Sequence, residues 1–498
     1  MAPVSDIFLL QDLTGSFVDD LPNLKDIFPS LVDNLKNPNF QIVYGADPFF
    51  GVASFKDKPV GGLGDAGDFV YRNNIALTGD TVSVVSTVNG LSADGGGDFP
   101  EAQLEALLQL SFSPNYRPDS TRIALVVTDA AFHTPPDGAN ASPTITRPNN
   151  GDNVVDADED YPTIVQLKDR LVASNIIPVF LVTPDVISFY EQLVKDLGRG
   201  EVIGLDRTSI TIADAIKFGV ASARGIITDA GTPEPNTIDL SGSDSDKVVF
   251  SGSGNDFVTG GNGNDYIDGG AGDDFVAGGD GEDTLDGGTG SDIGRGGGGD
   301  DFVVDGLSGN DIYDGGAGND TIIGGPGIDN LNGGEGDDNL QGDRGNDVLS
   351  GGIDNDNLQG GDGDDNLRGD SGNDILIGGA GSDFFVFDSN KAFISSDLGV
   401  DQISDFSSGT DKIRLSKKTF TALDNTSNGE LLGSNFAVVA VDSLAVDSSA
   451  EIVYSSSSGN LFYNQNNDAA GFGSGGLFAT IVGSPASLLT SDFFVFGV

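Results

Sequence analysis

The sequence predicts a multidomain chain: a doubly wound α/β head, then an all-β parallel solenoid, or β-roll, closed by a β-rich C-terminal cap. Three observations predict it. Strand-like and helix-like runs alternate through the first 226 residues, a nine-residue phrase recurs over residues 241–386, and short apolar–polar alternations fill residues 387–498. These set the domains at 1–226, 241–386 and 387–498, with 227–240, which holds Pro233 and Pro235, read as a linker.

In the head, strands are expected over residues 6–11, 41–44, 52–55, 122–128 and 177–182. Helices are expected over 100–110, 161–173, 185–197 and 210–223, and apolar spacing through Leu21, Leu24, Ile27, Leu31 and Leu35 adds another. Such alternation makes a parallel sheet whose ligands collect at the C-terminal strand ends, near the topological switch point. Asp12, Thr14 and Ser16 share the loop after the first strand, Glu101 opens a helix after Asp98-Phe99-Pro100, and Asp129 ends the strand IALVVT. Few carboxylates, hydroxyl ligands and room for water describe a Mg2+ (or Mn2+) site that keeps one position open. An ion so incompletely neutralised would take an acidic group from a partner.

At these residues the first 226 positions resemble the I-like domain of integrin beta subunits, a von Willebrand factor A type, Rossmann-like fold. The resemblance is carried by DLTGSFVDDL at Asp12, FKDKPV at Phe55, FVYRNNIALT at Phe69, DFPE at Asp98, VTDAAFH at Val127, PNNGD at Pro148 and DYPTIVQL at Asp160. It implies that Asp12, Thr14, Ser16, Glu101 and Asp129 form a metal-ion-dependent adhesion site (MIDAS), and that Asp19 and Asp20 belong to an adjacent calcium site. Asp57 and Asp98 fall on a second flanking metal site, although Gly96 stands where the family has Asn.

The repeat has its own chemistry. GGNGNDYID at Gly260, GGAGDDFVA at Gly269 and GGAGNDTII at Gly315 show paired glycines, a sixth-position Asp and an eighth-position apolar residue. Glycine-rich turns can aim carbonyls at one spot, and the Asp adds a carboxylate. All-oxygen ligation of that flexible kind suits Ca2+. The expected ligands are Asp256, Asp265, Asp274, Asp283, Asp292, Asp301, Asp311, Asp320, Asp329, Asp338, Asp347, Asp356, Asp365, Asp374 and Asp383, with Asp246 before them. Each unit is half a coil, so about sixteen units make about eight coils, roughly 38 Å long. The stretch resembles the RTX, or hemolysin-type, calcium-binding repeat. Gly294 at an apolar position, Asp354 in place of glycine, and apparent single insertions at Phe250 and Asp305 should weaken ion binding in their turns.

Composition bounds the function. Asp plus Glu is 77 against 24 for Lys plus Arg, a net charge of −53 that disfavours nucleic acid. Cysteine is absent and histidine single, which removes thiolate catalysis, Cys or His zinc sites and an HExxH protease. No apolar run is long enough to span a membrane, and the N-terminus lacks a cleavable-signal pattern. A calcium array without such a signal resembles proteins exported by type I secretion, with an uncleaved C-terminal signal, here in 387–498. The expectation is a secreted bacterial adhesion protein, not an enzyme, that binds an acidic group of a protein, glycoprotein or surface polymer. An extracellular matrix or surface-layer component is the alternative; no catalytic constellation supports a secreted hydrolase or toxin.

Overall fold

A computed structural model of the chain describes, in the head, residues 5–13, 21–22, 25, 28–29, 32, 36, 48–56, 71–92, 103–112, 116–117, 120–128, 162–183, 186–204, 217–222 and 227. From 229 onward it describes all residues except 232–233, 306–307, 424–428, 467–470, 484–487 and 498. The chain forms two compact units, Met1–Ile227 and Thr228–Val498.

The head is a doubly wound sheet. Its strands are β1 (Ser5–Asp12), β2 (Phe49–Phe55), β3 (Arg72–Thr78), β4 (Thr121–Thr128), β5 (Ile176–Val182) and β6 (Glu201–Gly204), in the order β3-β2-β1-β4-β5-β6. Only the β2–β3 pairing is antiparallel. β4 and β5 are near-continuous apolar runs, as strands covered on both faces tend to be, and β1 is buried along its whole length around the apolar centre IFLL. Helices α1 (Thr81–Asn89), α2 (Gln103–Leu110), α3 (Ile164–Ser174) and α4 (Ile187–Leu197) accompany them. Leu104, Leu107 and Leu108 of α2, Leu167 and Leu171 of α3, and Tyr190 and Leu193 of α4 share one core with Phe8, Val126 and Phe180. α3 starts at a reciprocal cap between Thr163 and Gln166 and stops at Asn175, left-handed at φ 54°. The strand expected over 41–44 and most of the helix expected over 210–223 lie outside the described residues.

In the second unit, strands pair in parallel with the strands one coil away: Phe257–Gly261 with Phe275–Asp280, and Tyr266–Asp268 with Thr284–Asp286. Two long parallel sheets result, facing each other across one row of side chains. That row is the eighth position, with Val258, Ile267, Val276, Leu285, Val303, Ile322, Leu331, Leu340, Leu349, Leu358, Leu367 and Leu376 at 0% exposure. The stretch read as a linker holds strands Asp229–Ala230 and Thr237–Asp239, and the second pairs with Phe257–Gly261 because Ile238 supplies the first buried rung.

The C-terminal segment continues both sheets. Asp401–Ile403 pairs parallel with Ile375–Ala380, and Lys412–Ser416 with Phe384–Phe387 and then Phe493–Phe496. The antiparallel strands expected there occur among Ile452–Ser455, Asn460–Tyr463 and Gly476–Ile481, but the outer pairings are parallel. An aromatic cluster of Phe393, Phe420, Tyr463 and Phe478 closes the core, which runs unbroken from Ile238 to Val495.

Candidate metal centres

In the head, the described residues bring together the ends of β1 and β4 and the start of α2, at the switch point between β1 and β4. Asp12 is the last residue of β1 and fully buried. Its Oδ2 accepts the Thr128 hydroxyl at 2.8 Å, and the Gln103 amide donates to that hydroxyl oxygen at 2.9 Å. Thr128 ends β4 directly before Asp129, and Gln103 stands two residues after Glu101. Thr14, Ser16, Asp19, Asp20, Asp57, Asp98, Glu101 and Asp129 lie outside the described residues.

In the roll, the sixth-position aspartates form two columns. One runs Asp256, Asp274, Asp292, Asp311, Asp329, Asp347, Asp365, Asp383; the other runs Asp265, Asp283, Asp301, Asp320, Asp338, Asp356, Asp374. Within each column the backbone N–H of one Asp donates to Oδ1 of the next, at 2.7 to 3.0 Å. Every member is at most 3% exposed, and Oδ2 has no hydrogen-bond partner in fourteen of them. Burial pushes Asp274 and Asp283 up to about 7 and Asp292, Asp301 and Asp356 to about 8, against the pull of the N–H each accepts.

Those orphaned oxygens face the glycine turns. A Cβ on Gly269 would stand 2.9 Å from Asp274 Oδ2 and 2.6 Å from the Gly287 carbonyl oxygen, so the first glycine keeps a small oxygen-lined space open. The second glycine answers a different need, since Gly270 sits at φ 88°. Among the described residues no group of three or more acidic side chains is arranged to hold a metal. Each turn gathers one carboxylate per unit with backbone carbonyl oxygens, a donor set that fits calcium.

The columns end differently from the repeat reading. Lys247, not Asp246, occupies the sixth position of its coil, because its N–H donates to Asp265 Oδ1 at 2.7 Å while Asp246 accepts from Asn264 in the fifth-position row. The register shifts by one so that Val249 becomes the buried rung and Phe250 packs on Tyr266, ring centroids 5.4 Å apart. Phe250 is therefore no insertion. The Lys247 ammonium donates to Ser245 Oγ at 2.6 Å, and its charge only partly offsets the desolvation that raises the Asp265 carboxyl. At the other end, Asp401 and Asp411 of the cap extend the columns, accepting from Asp374 and Asp383 at 3.2 Å. Sequence reasoning missed both, since no glycine pair precedes them.

A second set of bonds runs the opposite way. Fifth-position N–H groups donate to the fifth-position side chain of the preceding coil: Asp273 to Asn255, Ser291 to Asp273, Asp337 to Asn319 and Asn355 to Asp337. That is why Asn, Asp and Ser recur at this place.

Fold and site together define a ligand-binding α/β head of the von Willebrand factor A (VWA) class followed by a cation-binding β-roll. Residues 1–220 match the family described as integrin beta chain VWA domain, and overlapping segments from 241 to 385 match the RTX calcium-binding nonapeptide repeat. The chain thus joins an integrin-beta VWA domain to RTX repeats. Mouse integrin beta-4 is 31% identical over 38% of this chain and 11% of its own length. Integrin beta-2 of Ovis canadensis is 28% identical over 43% of this chain and 30% of its own. The chain thus spans less than a third of these relatives. Among solved structures, BatB from Bacteroides thetaiotaomicron aligns at 15% identity and a TM-score of 0.29, covering 44% of this chain and 99% of that one. Neither matching family is described as an enzyme. Among the described residues no helix is long and apolar enough to cross a membrane.

Proposed function

We propose that this is a secreted adhesion protein whose head binds an acidic group of a protein, glycoprotein or surface polymer through a divalent ion, and whose roll folds on calcium. The head reading rests chiefly on Asp12, a buried carboxylate at the switch point that is held by Thr128 next to Asp129. Asp12, Thr14, Ser16, Glu101 and Asp129 hold Mg2+ or Mn2+ there with a position left for the ligand. Asp19 and Asp20 hold an adjacent calcium, and Asp57 and Asp98 serve a second flanking ion. The similarity to integrin beta chains supports this.

The roll reading rests on the orphaned Oδ2 atoms, which an unloaded interior leaves without a counter-charge. Extracellular calcium modules commonly bind at about 0.1 to 1 mM. In a low-calcium cytosol the repeats stay unfolded and fit for type I export, and they fold on calcium outside. Capture from native surfaces with magnesium present tests the head. Wild type should retain a ligand that Glu101→Ala and Asp129→Ala lose while keeping the wild-type circular dichroism; equal capture by all three would sink the adhesion-site assignment.

A further inference from the structure

Asp305 interrupts the repeat, and the interruption is built. Its N–H donates to the Ile323 carbonyl at 2.9 Å, as Gly287 donates to Val304 and Gly324 to Gln341, so Asp305 takes the place of a first glycine. Elsewhere a side chain there would collide with the sixth-position carboxylate. Here the aspartates before and after it, Asp292 and Asp311, are 19 residues apart instead of 18, and the Asp305 side chain fits inside at 1% exposure. The Asp305 and Asp311 carboxyls lie within hydrogen-bonding reach of each other, and no other group donates to either oxygen of Asp305 or to Asp311 Oδ2; the hydroxyl of Tyr313, itself 1% exposed, has no partner.

Tyr313 is equally specific to this coil. It occupies an eighth position, and it fits because its register partner is Gly294, where a Cβ would stand 2.5 Å from Tyr313 Cδ1. Its hydroxyl and Asp292 Oδ2 meet beside Gly287. Three departures from the repeat are thus one constellation. Gly294 admits Tyr313, whose hydroxyl reaches the side of Asp292, and the longer coil admits Asp305, whose carboxyl faces Asp311. Two facing buried carboxyls must share a proton or a cation to be neutralised, and the affinity of oxygen sites for calcium rises with their carboxylate count.

We propose that Asp305 and Asp311 share one calcium site, bordered by Tyr313, that holds its ion more tightly than any ordinary repeat site. The proposal rests on the reading of the roll as calcium-bound and reverses the expectation that this turn binds poorly. The test uses the full chain in chelator-buffered calcium, with bound calcium counted by elemental mass spectrometry. Wild type should retain one calcium per chain at a free concentration about tenfold below that which empties the other sites. Asp305→Gly, which restores the repeat, and the isosteric Asp305→Asn should both lose that plateau yet show the wild-type circular dichroism at saturating calcium. Substoichiometric terbium excited through tyrosine should emit severalfold less from Tyr313→Phe. Identical plateaus in wild type and both variants, or undiminished terbium emission from Tyr313→Phe, overturn this site alone. No calcium bound by wild type overturns the reading beneath it.

Discussion

Single positions in the roll answer distinct physical demands, so substitutions should act in opposite directions. Asp354 is exposed and sits at φ 78°, a conformation unfavourable to a residue with a Cβ. Asp354→Gly should raise the stability of the calcium-loaded roll by up to about 1 kcal/mol, less the extra backbone entropy a glycine loses on folding, read as a higher melting temperature. A lower melting temperature would show that the Asp354 side chain serves the turn. Leu349 at the roll's centre is the contrary case: fully buried between two sheets that cannot collapse inward, its truncation to Ala should cost about 2 to 5 kcal/mol. Denaturant unfolding at saturating calcium reads both changes.

The ladder of buried carboxyls makes the roll's stability depend on pH in a direction opposite to most acidic proteins. Asp274, Asp292, Asp320 and Asp356 of the columns are raised from an ordinary 3.8 to between about 6 and about 8, by desolvation first. A carboxyl raised on folding binds more protons in the native state than in the unfolded one. Its stabilising contribution is full below about 4 and is lost as pH rises through 6 to 8. In chelator, the β signal of the second unit should therefore be stronger at pH 5 than at pH 8, while protons competing for the ligands raise the calcium midpoint at pH 5. A chelator β signal that grows with pH would contradict this account. Elements differ in how far sequence foretold them, for physical reasons. The repeat strands were legible because glycine, Asp and an apolar residue each mark a fixed place in a coil. α1 was not, since TVSVVSTVN is rich in β-branched residues of weak helix propensity, and its start is set by Asp80, whose side chain accepts the Ser83 N–H. The register of the first coil was hidden too, because Val248 and Val249 are equivalent until tertiary packing chooses one.

Across the whole molecule, function divides between a head whose candidate site sits at the switch point of its sheet and a roll whose carboxylate columns pass directly into the cap. The head's site is read from residues that follow strand ends, and Asp12 stands at such an end; the cap's share of the columns is unreadable because Asp401 and Asp411 follow their neighbours by 27 and 28 residues without the repeat phrase. Because core and columns both cross into the cap, deleting residues 401–498 should broaden and weaken the calcium transition followed by circular dichroism, whereas deleting residues 1–226 should leave it sharp. An equally sharp transition without the cap would refute that coupling. The opposed bonds of the fifth and sixth positions carry a different consequence. Each coil offers one donor and one acceptor to the coil above and the complementary acceptor and donor to the coil below, at a spacing of 18 residues that stretches to 19 at one coil. The roll is thus a gauge block whose length is inherited in whole layers. Excising residues 330–347 should yield a protein that still folds on calcium and is shorter by one layer of about 4.8 Å, whereas excising only nine residues would send every later rung to the wrong sheet.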